Sequence, residues 1–105
     1  MLYLTKNSQV LLATSAVDFR KQIDGLIAVC EQHLQESPQT GAFFVFINRS
    51  RSMVRVLHYE SNGYWLATKR LSKGKYKQWP NNSNPLCKMQ SYELTSLLKN
   101  ALAYK

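Results

Sequence analysis

The sequence predicts an α+β domain: an antiparallel sheet of about four strands packed on one long helix, with a small C-terminal helix. Three observations carry this. Residues 43–47 form an unbroken apolar and aromatic run, FFVFI. Residues 53–70 are rich in Val, Leu, Tyr, Trp and Thr and break once, at Asn62-Gly63, a dipeptide that suits a two-residue hairpin turn because both central residues need positive φ. Phe19, Ile23, Leu26, Ile27, Cys30 and Leu34 recur at helical spacing and define one apolar face.

Taken in order, residues 2–4 and 10–13 are short apolar runs separated by polar Lys6 to Gln9, and they read as an initial strand or two. A helix is expected from Ser15, because Ser15 followed by Asp18 resembles a capping arrangement. Its polar side carries Lys21, Gln22, Glu31, Gln35 and Glu36, and it stops before Ser37-Pro38, since proline disfavours helix in the residue ahead of it. The run 43–47, apolar at every position, is expected at the sheet centre. Residues 48–52 form a polar, doubly basic loop into the hairpin.

If Asn62 and Gly63 occupy the turn, Ser61 faces Tyr64, Tyr59 faces Leu66, Leu57 faces Thr68, and Arg55 faces Arg70. Like charges directly opposite repel, so the two arginines would splay into solvent or hold an anion. The resulting meander is expected to pack one face on the helix and leave the other partly wetted. Residues 72–78 are a basic connection around Gly74 that Trp79-Pro80 closes. The domain plan is a core at 1–80, an uncharged Asn- and Pro-rich linker at 81–90, and a C-terminal helix at 91–105 packed on the same domain. Ser91 is its expected cap, and Leu94, Leu97, Leu98 and Leu102 form its apolar stripe.

A chain of 105 residues with a net charge of +8 and a pI near 9.7 points to anionic partners, of which nucleic acid is the commonest. Arg49, Arg51, Arg55, Lys69, Arg70, Lys73, Lys75 and Lys77 are opposed within their stretch by Glu60 alone. The apolar run 42–47 is far too short to cross a bilayer, and the N-terminus carries no export signal, so a cytoplasmic chain is expected. The six carboxylates, Asp18, Asp24, Glu31, Glu36, Glu60 and Glu93, suggest no catalytic set. Cys30 and Cys87 are too few for a disulfide framework. With His33 and His58 they make a poor Cys2His2 set, because the spacing does not match a finger. Gly63 and Gly74 are isolated, so no phosphate-binding glycine loop is present, and no cofactor or metal is expected. Tyr64, Trp65, Tyr76 and Trp79, interleaved with Lys and Arg, fit either a stacking platform for single-stranded nucleic acid or the cross-strand aromatic pairs of a stable hairpin.

The segments LLATSAVDFRKQIDGL, SPQTGAFFVFINRSR and VRVLHYESNGYWLATKRLSKGKYKQWP together resemble the TnpB-type accessory protein of the insertion sequence 66 family of bacterial transposable elements, which is unrelated to the RNA-guided nuclease that shares that name. The matching positions include Asp18, Arg20, Asp24-Gly25-Leu26, Pro38, Gly41, Phe44-Val45-Phe46, Asn48-Arg49, Arg55, Gly63, Lys69-Arg70-Leu71, Gly74 and Trp79-Pro80. The resemblance implies a non-catalytic protein encoded beside a separate DDE-type transposase and needed for efficient movement of the element. It singles out Arg20, Arg49, Arg55, Lys69 and Arg70, to which the charge pattern adds Arg51, Lys73, Lys75 and Lys77. The expected function is accessory work in transposition, with DNA phosphates held by the basic hairpin. The alternative is an adaptor that contacts the transposase or another accessory protein, and self-association is left open.

Overall fold

The computed structural model describes residues 3–99. Strand β1 (Val10–Ala13) is followed by helix α1 (Ile23–Gln32), a 3₁₀ turn at Pro38–Thr40, strands β2 (Phe43–Ile47), β3 (Met53–Glu60), β4 (Gly63–Arg70) and β5 (Leu86–Met89), and helix α2 (Ser91–Lys99). The chain is α+β, but its sheet has five strands in the order β4-β3-β2-β1-β5 and is mixed, where an antiparallel sheet of about four was expected. β1 runs parallel to β2, with Val10 beside Phe43 and Leu12 beside Val45. Parallel neighbours require a crossover, and α1 lies within it. The fifth strand arises in the stretch expected as a linker: Leu86–Met89 pairs antiparallel with β1. Its LCKM sequence carries little strand signal, and a neighbour more than 70 residues away supplies the pairing.

β2 occupies the middle of the sheet and is buried at all five positions, as its uninterrupted apolar run requires. Its alternate side chains feed two cores. Phe44 and Phe46 join Leu11, Ala13, Leu57 and the α1 residues Leu26, Val29 and Cys30. Phe43, Val45 and Ile47 join Val10, Leu12, Val54, Tyr76, Trp79 and Leu94. The second face is therefore covered, not wetted, by α2 and by the 71–80 loop. Tyr76 and Trp79 are 1% and 3% exposed, and the Trp79 indole donates to the Ala13 carbonyl at 3.0 Å. Two of the four aromatics of the stacking-platform reading are thus core. Tyr64 makes an edge-on cross-strand pair with Tyr59, while Trp65 remains 45% exposed.

The helix is shorter than its apolar periodicity suggests. It begins at Ile23 after Gln22, whose side chain makes no cap. Residues 15–22 instead form a strap, tied to the sheet by the Val17 N–H on the Ile47 carbonyl at 2.9 Å. Phe19 keeps its place in the apolar face by packing on the α1 core from this strap. Lys21 lies against α1 at Gly25, where an added Cβ would come 2.9 Å from the Lys21 Cβ, so glycine lets the strap lie close.

The hairpin forms, but its turn residues are Ser61 and Asn62. Ser61 takes φ of 58°, Gly63 begins β4 opposite Glu60, and the Asn62 N–H donates to the Glu60 carbonyl at 2.6 Å. Each pairing moves by two residues, which preserves the faces and changes the partners: Tyr59 meets Tyr64, Leu57 meets Leu66, Arg55 meets Thr68, and Met53 meets Arg70. The repulsive Arg55–Arg70 pair is absent. In its place the Arg55 Nε donates to the Thr68 hydroxyl at 3.0 Å, and Leu57 and Leu66 are matched on the α1 face. At the second helix the cap is Gln90, not Ser91. The Glu93 carboxylate accepts from the Gln90 N–H at 2.8 Å, and the Gln90 carbonyl accepts from Glu93 and Leu94, half of a capping box. Leu102 lies outside the described residues. No helix among the described residues is long and apolar enough to cross a membrane.

Candidate nucleic-acid interface

The register puts the basic residues at one end of the sheet. β3 starts at Met53 and β4 ends opposite it at Arg70, so the 48–52 turn, the last residues of β4 and the loop that follows share an end. Backbone bonds hold them there: Leu71 N–H to Ser52 O and Tyr76 N–H to Arg51 O, both at 2.9 Å. The strap arrives at the same end through Val17 and Ile47. Glu60, at the far end of β3, is seven residue steps away, roughly 23 Å at strand rise.

An open cleft of about 580 Å³ at this end is lined by Val17, Asp18, Phe19, Arg20, Asn48, Arg49, Ser50, Met53 and Arg55. Three of the arginines expected from sequence meet there, from the strap, the turn and β3. Asn48 shapes the turn. Its Oδ1 accepts from the N–H groups of Ser52 and Met53, both at 3.0 Å, and its Nδ2 donates to the Ser52 hydroxyl at 3.3 Å. Arg51 can then take φ of 61°, and Arg49 and Ser50 are left exposed.

Arg55 is half-buried and engaged. Its Nη1 donates to the carbonyls of Phe19 and Lys21, both at 2.7 Å, and its guanidinium carbon lies 4.7 Å from the centroid of the Phe19 ring. Two of its five donors fasten strap to sheet, a third goes to Thr68 on the neighbouring strand, and Nη2 has no hydrogen-bond partner among the described residues. Arg20 is 92% exposed and forks onto Asp18, with Nη2 and Nε at 2.6 and 2.9 Å from Oδ2. Those bonds, with the Arg20 N–H on Oδ1, hold the Asp18 carboxyl down to about 2. Asp18 therefore orients Arg20 and subtracts one charge from the cleft. It does not cap a helix.

The remaining candidates divide. Arg70 is exposed on the α1 face, while Lys69 points to the other face and donates to the Leu98 carbonyl of α2 at 3.4 Å. Lys73, Lys75 and Lys77 are exposed along the 71–80 loop, whose Leu71, Tyr76 and Trp79 pack on the α2 side. All nine candidates share an end of the molecule, in two groups on either side of the sheet. Sequence reading missed the roles of Asn48 and of the Phe19 and Lys21 carbonyls. Asn48 was visible as a polar residue of the 48–52 loop and as a position matching the family, neither of which shows its bonds to the turn, and carbonyls leave no mark in a sequence.

The Cys2His2 set cannot form, because Cys30 packs in the α1 core, whereas Cys87 packs on the α2 side, where His58 stacks on Phe43. Burial pushes the Cys30 thiol up to about 12. No group of three or more His, Cys, Asp or Glu converges among the described residues.

The family model described as "IS66 Orf2 like protein" matches residues 8–103. This chain belongs to that family. The IS66 Orf2-like proteins are accessory to transposition. Two relatives from Sinorhizobium fredii (strain NBRC 101917 / NGR234) are each 32% identical to it. "Uncharacterized protein y4jC" matches over 76 residues, 72% of this chain and 65% of the relative, so the chain spans just under two thirds of that protein. "Uncharacterized protein y4hO" matches over 98 residues, 93% of this chain and 84% of the relative. No solved structure matches the chain.

Proposed function

We propose that this IS66 Orf2-like protein assists transposition by binding DNA through phosphate contacts at the basic end of its sheet. The observation that carries the reading is the segregation of charge: cations from the strap, the 48–52 turn, the end of β4 and the 71–80 loop gather at one end, and the acid of the hairpin is at the other. The Asn48-braced turn and the Arg55-fastened strap fix the backbone that carries Arg49 and Arg20 before any ligand arrives, which lowers the ordering cost of binding. Phosphate contacts position a protein on a duplex and carry no sequence information. The role is therefore architectural, holding element DNA for a separate transposase, with no chemistry assigned to this chain.

Anisotropy titration of a labelled duplex over a series of salt concentrations tests this. Affinity should fall linearly on log–log axes, because each neutralised phosphate releases condensed counterions. No duplex binding at low salt, together with transposase that co-purifies after nuclease digestion, would overturn the reading in favour of a protein adaptor.

A further inference from the structure

The two edges of the sheet are treated differently. β5 has only four residues and carries Lys88 among them. In the β1–β5 ladder the Thr14 N–H on the Pro85 carbonyl makes Pro85, Cys87 and Met89 the inward-bonding positions, so Lys88 is on the outer row. Short edges and edge lysines are the usual guards against strand addition. β4 has neither guard over most of its length. It is eight residues long, and from Gly63 to Thr68 it contains no charge and no proline.

The ladder also tells which backbone groups of β4 face out. Leu71 N–H bonds to Ser52 O, and Asn48 N–H to Met53 O on the other side of β3. Odd residues of β4 therefore bond inward to β3, and Tyr64, Leu66 and Thr68 direct their N–H and carbonyl groups outward. No backbone group among the described residues pairs with them.

We propose that this edge is the homodimer interface, with β4 of one copy pairing antiparallel to β4 of a second about a two-fold axis at Leu66. An antiparallel ladder places outward-bonding residues opposite one another, and this register meets that condition, pairing Tyr64 with Thr68 of the partner subunit. It sets Trp65 opposite the partner's Ala67 in a closely spaced non-hydrogen-bonded pair, twice by symmetry. A large exposed side chain thus covers a small one, and the 45% exposure of Trp65 gains a reason. Charge selects the same direction. Antiparallel pairing sets the basic end of each copy beside the uncharged hairpin turn of the partner subunit, whereas parallel pairing would set two basic ends side by side. An isologous patch of this kind closes as a dimer and does not propagate.

Sedimentation velocity without DNA, over a range of protein concentrations, tests the interface separately from phosphate binding. The protein should sediment as a dimer and Thr68→Pro as a monomer, since proline there removes an outward N–H and leaves the β3 ladder intact. In a Cys87→Ser background, Ala67→Cys should join two chains with a thiol cross-linker of about 8 Å, the diagonal cross-strand spacing, and Lys75→Cys should not. A monomer at every concentration overturns the proposal. So does a folded Thr68→Pro protein that remains dimeric, or cross-linking that is equal at the two cysteines. If circular dichroism shows that Thr68→Pro does not fold, the cross-linking pair decides alone.

Discussion

The Arg55 guanidinium donates to the carbonyl of Phe19 at 2.7 Å and lies 4.7 Å above the ring of that same residue. Charge and apolar contact thus act on one strap residue, whose ring joins the α1 core. Arg55→Gln should therefore destabilise the protein. It strands two carbonyls that now receive charge-assisted bonds and removes a cation–π contact, a loss of about 2 kcal/mol. Urea denaturation reads this as a lower midpoint at unchanged slope.

The strap also sets a pH response. Hydrogen bonds from Arg20 hold the folded Asp18 carboxyl at about 2, below its ordinary 3.8. A depressed folded value means that the contribution is complete above 3.8 and is lost as pH falls through 2. Carboxyl NMR titration should place the Asp18 midpoint near 2, and Arg20→Gln should raise it toward 3.8. An unchanged midpoint in that variant would show that the fork is not the cause.

Much of this fold is legible because its signals are local. The run 43–47 is apolar at every position and becomes the central strand, and the hairpin strands follow the β-rich stretch on either side of one turn. What misleads is a local signal that tertiary structure reassigns. Ser15 and Asp18 look like a capping pair, but the nearest cation, Arg20, takes the carboxylate and the Ile47 carbonyl takes the Val17 N–H. Asn62-Gly63 looks like the turn. Yet the turn one place earlier matches Tyr59 with Tyr64 and Leu57 with Leu66 and separates two arginines, which outweighs the ease of positive φ at glycine. For the site, sequence gives the cations and their density but not their work. That Arg55 and Lys69 hold strap and helix depends on carbonyls 34 to 36 and 29 residues away.

Trp79 closes the second face with its indole on the Ala13 carbonyl. Trp79→Phe keeps most of the apolar area but leaves that buried acceptor without its donor, at a cost of about 1–3 kcal/mol. Trp79→Ala adds the cavity and should cost about 3–5 kcal/mol. Calorimetric melts of the two variants separate the bond from the packing. A Trp79→Phe protein as stable as the parent would show that the bond contributes little.

The two thiols should report on the fold by their reactivity. Cys30 is fully buried and its pKa is pushed up to about 12, so little thiolate is available at neutral pH, whereas Cys87 is half-buried on the other face. In native protein a disulfide reagent should label Cys87 first, with Cys30 following only as the α1 core opens. Equal rates at the two positions would mean that α1 is not seated on the sheet as described.

The basic end makes the most direct demand on function. Arg49 and Arg70 are both exposed, and neither has a hydrogen-bond partner among the described residues, so their replacement tests charge without touching the framework that Arg55 maintains. In the Arg49→Gln, Arg70→Gln double variant, stability should stay within about 0.5 kcal/mol of the parent, as expected for surface positions. Each phosphate contact contributes about 0.9 to the slope of log affinity against log salt, so losing two should flatten that slope by roughly two units. Glu60→Gln, at the opposite end of β3, should leave the slope where it was. A double variant that keeps the parent's slope but no longer supports movement of the element in cells would move the function of these arginines from DNA to a protein partner.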